Sequence, residues 1–137
     1  MDTVKRDDGQ ALVFAALLLG VAAVAVVGLR DVADRIVNGV RDERAGEAAV
    51  VAGGAAVADL LFARSSALGH ELDRAETAAF AADPAVTDAA RDAAVRLARA
   101  HGRADPTDVR VLAFGFEIEV HLTLAGRAHV ALLEADP

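Results

Sequence analysis

A chain of 137 residues sets a soft prior for one domain, and its net charge of −7 with pI about 4.9 argues against a nucleic-acid footprint. The absence of cysteine removes disulfides, thiolate nucleophiles and Cys-based metal sites, and five Phe without Tyr or Trp leave no platform for stacking sugars or bases. A single lysine against thirteen arginines, in an alanine-rich chain, reads as the coding bias of a GC-rich genome.

Residues 1–10 form a short charged segment, and from Ala11 to Leu29 nineteen residues are apolar or glycine. As a helix they reach about 28 Å, close to the hydrocarbon thickness of a bilayer. A helix apolar on all sides is either a membrane span or the centre of a large core, and a chain this short has no core able to surround it. The expectation is a transmembrane helix over 11–29. A cleaved secretory signal is the rival reading. Against it, the run is longer than a usual signal core, and Ala23 and Ala25 sit inside the apolar stretch with no polar segment before them. Ala16 and Gly20 form a small-xxx-small pair, a candidate point of close helix packing. Lys5 and Arg6 flank one end, and Arg30, Arg35, Arg41 and Arg44 the other; counted alone, these charges favour a cytoplasmic C-terminal part.

Past Leu29 apolar residues recur at three and four: Val32, Ala33, Ile36, Val37 and Val40. This predicts an amphipathic continuation over 30–64, with a weaker stripe through Ala48, Val51, Ala55, Ala58 and Leu61 and a bend at Gly53-Gly54. Residues 65–137 are expected to form a small α+β domain. A helix over 65–82 would be capped by Ser65 or Ser66. A second would begin at Asp83-Pro84, with Asp as cap and Pro in the first turn, and stop at Gly102.

The period then changes to two. Val109, Val111 and Ala113 are expected to face Phe116, Ile118 and Val120 across a turn at Phe114-Gly115, with Arg110 opposite Glu119. A three-residue turn at Ala125-Gly126-Arg127 would set Val130 against Leu122 and Leu132 against Val120, and would keep His129 off the apolar face. The fold class expected is therefore α+β: a long N-terminal helix, one or two further helices and a three-stranded antiparallel meander.

No catalytic constellation stands out. "GHELDR" begins like a zinc-protease helix motif, but Arg74 occupies the place of the second histidine. Glu119, His121 and His129 on one sheet face read as solvated strand positions rather than as a metal site. No catalytic residue, cofactor site or metal site is assigned, and the expectation is a non-enzyme.

"DDGQALVFAALLLGVAAVAVVGL", its amphipathic continuation and "RAGEAAVVAGGAAVADL" together resemble the N-terminal half of TadE/TadG-like proteins. These are pilin-like or pseudopilin-like components of the tight-adherence (Flp) pilus machinery. "RLARAHG", "VRVLAFGFEIEVHLTL" and "AHVALLE" resemble the helix–loop–strand ending of the same family. The resemblance implies a pilin-like architecture and a structural subunit, with the lipid bilayer and other pilin-like or pilus-assembly proteins as partners of the N-terminal helix. It also implies a single-pass cell-membrane protein with its C-terminal domain outside the cytoplasm, and pilin-type processing after Gly9 to leave Gln10 first. Two positions depart from the family pattern: Phe14 stands where a cleaved pilin usually carries Glu, and Glu47 where Asp is commoner. The alternative reading is a membrane-tethered extracytoplasmic binding module that uses its exposed sheet face.

Overall fold

The computed structural model describes the backbone of residues 4–134 and the side chains of residues 12–133. In chain order it has α1 (Val4–Leu68), α2 (Arg74–Ala81), α3 (Pro84–Ala100), β1 (Thr107–Phe114), β2 (Glu117–Leu124) and β3 (Arg127–Glu134). The class is α+β, with an open antiparallel sheet in the order β1-β2-β3. The chain divides into two compact units, Met1–Gly39 and Val40–Pro137.

In the first unit, the large apolar side chains of α1 among the described residues are all exposed, Leu12, Phe14, Leu18, Val24 and Leu29 included. The helix is long and apolar enough to cross a membrane: its most apolar stretch has a mean hydropathy of 2.8, and none of that stretch is buried. Such a segment fits a membrane span or a signal segment.

No proline falls between the start of α1 and Pro84, so the intrahelical ladder has no missing donor to break it. The helix accordingly runs through Gly53-Gly54, where the sequence suggested a bend, and past residue 64 to Leu68. Gly69 at φ +75° ends it, its N–H donating to the Ser65 carbonyl at 2.9 Å. Ser65 and Ser66 are thus inside α1 rather than capping the next helix. That role falls to Asp73: its carboxylate accepts from the Glu76 N–H at 2.8 Å, and the Glu76 carboxylate accepts from the Asp73 N–H at 2.9 Å. Asp83 and Pro84 open α3 as expected, and Gly102 at φ +67° follows its last turn.

The second unit has one core. The inner sheet face supplies Val109, Val111, Ile118, Val120, Leu122 and Leu124. Val86, Ala90, Ala94 and Ala98 of α3 and Ala45, Ala49, Val50 and Val57 of α1 cover it. The buried side of α1 is not the expected one: Val51 is 63% exposed and Ala55 is exposed. Two rows spaced by four face inward instead, Ala45-Ala49-Gly53-Val57 and Gly46-Val50-Gly54. Small side chains explain the choice. A Cβ at Gly53 would come within 3.2 Å of the Ala90 carbonyl oxygen and 3.4 Å of Val120, so the residues that look weakest as a hydrophobic stripe allow the closest approach.

Both hairpins differ from the expected register: the first keeps a two-residue turn but moves it to Gly115-Phe116, and the second is tighter. Ala113 pairs with Ile118 and Val111 with Val120, a shift of two residues from the sequence-based register; Arg110 lies opposite His121 rather than Glu119. A shift of two keeps every side chain on its face, and Ile118 is fully buried while Glu117 is exposed. In the second hairpin, Leu124 pairs with Arg127 and Leu122 with His129, leaving a two-residue turn at Ala125-Gly126. Both residues have positive φ, +50° and +78°, the mirror-image turn that matches strand twist. The three-residue turn is therefore corrected: His129 lies on the inner face, and Val130 and Leu132 lie on the outer one, each 52% exposed.

Candidate functional site

The polar groups that the sequence placed together are divided by the sheet. Glu119 and His121, two apart on β2, share its outer face, and the imidazole Nε2 stands 2.6 Å from the Glu119 carboxylate. His129 belongs to the opposite face. The trio therefore does not converge, and among the described residues no group of three or more His, Cys, Asp or Glu is placed to hold a metal ion. His70 donates through Nδ1 to the Glu71 carbonyl at 2.7 Å, a local contact in the connection before α2. Arg74, in the place of a second motif histidine, lies over the Phe116 ring with 5.2 Å to its centroid.

His129 is 7% exposed, and its Nε2 has no hydrogen-bond partner. Its ring occupies the space that a side chain at position 46 would need: a Cβ on Gly46 would lie 2.1 Å from Nε2. This knob and socket joins β3 to α1; the sequence reading set His129 on the solvated face of the sheet and did not single out Gly46. The signal for it was Gly126, which permits the tight turn and so sets the parity of β3. On either side of the socket are ion pairs, Glu43 with Arg127 at 2.5 Å and Asp42 with Arg103 at 3.0 Å. The Arg103 Nε has the distance of an ion pair to Asp42 but makes no hydrogen bond, which leaves that contact as charge attraction alone.

At the far end of α3, the Arg99 guanidinium grips Asp105 through two hydrogen bonds of 2.7 and 2.6 Å. Those bonds hold the Asp105 carboxyl below the usual carboxylate range; burial opposes them, and the guanidinium's charge adds the least. The pair is well exposed, so it ties the 101–106 loop to α3 and does not form a reactive centre.

Outside the second unit, Ala16 and Gly20 lie on exposed turns of α1, and a Cβ at Gly20 would meet nothing within 4 Å. Gly9 and Gln10 lie in α1, but their side chains are outside the described residues. Among the described residues the exposed surface includes an apolar helix and a sheet whose outer face mixes carboxylates with Leu112, Phe114, Val130 and Leu132. Compared with protein-family models, with curated proteins and with solved structures, the chain matches none of them.

Proposed function

We propose that this chain is a membrane-anchored, non-enzymatic structural or assembly subunit of pilin-like type. Its resemblance to TadE/TadG-like proteins suggests the tight-adherence pilus or a related secretion apparatus as its setting. The observation that carries the reading is the continuity of α1. One helix has an apolar, unburied first part and a second part whose small residues seat a three-stranded sheet. A lipid-soluble segment in the same helix that supplies part of the core would tether that domain to a membrane. The exposed first part offers lipid on most sides and, at Ala16 and Gly20, a place for another helix to come close. On this reading residues 1–10 are cytoplasmic and the α+β part lies outside. Long segments translocate largely regardless of charge, so the arginines after Leu29 do not decide the matter.

A cysteine at exposed Ala128, in a chain that has none of its own, tests the orientation. An impermeant thiol reagent should label it in intact spheroplasts. Labelling only after lysis would place the α+β part in the cytoplasm and defeat the pilin-like reading. Intact mass of the membrane-extracted protein decides processing: a chain beginning at Gln10 supports it, and one beginning at Met1 or Asp2 rules it out.

A further inference from the structure

Within the first unit, the side chains of α1 sort themselves once the apolar run ends. Past Arg30, Asp31, Asp34, Arg35 and Asn38 are polar, while Val32, Ala33, Ile36 and Val37 are apolar and exposed, Ile36 by 62%. Let Ala33 be position a and Ile36 position d of a seven-residue repeat. Asp31, Asp34, Arg35 and Asn38 then all fall at b, c or f, the positions turned away from a partner helix. Arg35 donates to Asp31 at 2.6 Å along that outward side. Traced back toward the N-terminus, the same repeat places Leu29, Val26, Ala22, Leu19, Ala15 and Leu12 at d and a with no interruption. Inside the apolar run any line would be apolar; the four polar residues beyond Arg30 are what select this one.

Lipid covers the seam only as far as the bilayer reaches, and beyond Leu29 it continues into water. We propose that a second copy of this chain covers it, the two α1 helices pairing parallel and in register as a two-stranded coiled coil through Ile36. The pairing rests on the anchored-subunit reading. Continuity of the seam is what selects a second copy. A partner that keeps one heptad register in both solvents must cross the bilayer at the same depth and in the same direction, and must leave it as an unbroken helix. A copy of α1 meets all three conditions by identity. Like charges stay apart in such a pair, because Asp31, Asp34 and Arg35 lie away from the seam, and Arg30, at e, has Ala25 at g of the facing helix. Ala22 and Ala33 let the axes approach beside the larger Leu29 and Ile36. Ala16 and Gly20, at e and b, lie off this seam.

The test uses the whole chain, which has no cysteine of its own, in native membranes. Leu29, Ala33, Asp34, Ile36 and Asn38 are each replaced by Cys in separate variants, and a membrane-permeant oxidant is added. Identical positions face each other in a parallel, in-register pair. Leu29→Cys, Ala33→Cys and Ile36→Cys should therefore give several-fold more disulfide-linked dimer than Asp34→Cys and Asn38→Cys. Adding Ile36→Asp to the Ala33→Cys chain should lower the dimer yield several-fold, and adding Asn38→Asp should leave it unchanged. Equal yields at all five positions, or no dimer at any, would overturn the proposal and leave lipid or an unlike protein as the cover. A maximum at Asp34→Cys would move the contact to the side of Ala16 and Gly20 and overturn it too. Alkaline extraction of the same membranes is scored in parallel. Extracted protein that lacks residues 11–29 would refute the anchor and the pair together, whereas retained protein without the seam pattern refutes the pair alone.

Discussion

At Gly46 a single hydrogen atom in place of a methyl group lets the His129 ring reach the helix surface. Gly46→Ala gains about 1 kcal/mol of helix propensity but forces a methyl group to within 2.1 Å of a ring that the β3 backbone holds in the core. Overpacking costs about 1–3 kcal/mol, so the variant should be net less stable than the parent. Gly54→Ala meets only ordinary contact, 3.5 Å to the Ala131 Cβ, and should keep the propensity gain. Gly53→Ala falls between them, because the atom at 3.2 Å is the backbone oxygen of Ala90, which cannot swing aside. Thermal melts in mild detergent should therefore rank Gly54→Ala above Gly53→Ala above Gly46→Ala. His129→Ala should remove most of the Gly46→Ala penalty, and a Gly46→Ala variant that melts above the parent would show that the socket is not tight. These residues were illegible in the sequence for one reason. A buried histidine and a run of alanine and glycine both look unfit for a core until the backbone separation that they permit is known.

Among the elements, the second hairpin holds Ala125 at φ +50°. A left-handed backbone costs a residue with a Cβ about 1–2 kcal/mol, whereas Asn and Gly are the residues that this turn favours. Ala125→Asn should raise the denaturation midpoint with no change in its slope; a lower midpoint would contradict the turn assignment. The α3 end gives a pH signature. The folded-state pKa of Asp105 is depressed by Arg99, so the stability it adds is present above the ordinary carboxylate range and is lost as the pH falls through the folded value. Asp105→Asn should therefore lower the melting temperature near neutrality and make no difference in strong acid, and a penalty that persists unchanged in acid would mean that the contact is not ionic. Much at this scale was readable beforehand. Asp83-Pro84 and Gly102 bound α3, and the alternation of Val109, Val111, Ile118 and Val120 fixed which side chains point inward despite a register two residues off. The end of α1 was not readable, because Ser65 and Ser66 look like a cap but sit before the Gly69 stop, and the second turn was misjudged to spare His129 a burial that it in fact undergoes.

For the whole molecule, the sheet cannot do without α1. Residues 45–57 cover the inner face, so a chain of residues 65–137 would leave parts of Ile118, Val120 and Leu122 without their cover. A chain of residues 40–137 keeps the whole compact unit. The longer fragment should be soluble and melt cooperatively, while the shorter one should bind a hydrophobic dye and show no sharp transition; equal behaviour would mean that α1 contributes little to the core.

The central claim is that one continuous helix both anchors the protein and builds its folded part. Alkaline carbonate extraction of membranes carrying the 137-residue chain, followed by intact-mass measurement of both fractions, bears on it most directly. The account expects the protein in the pellet with residues 11–29 still attached, and the 40–137 chain in the supernatant. Recovery of the protein in the supernatant, cut within or after the apolar segment, would make that segment a signal and contradict the account.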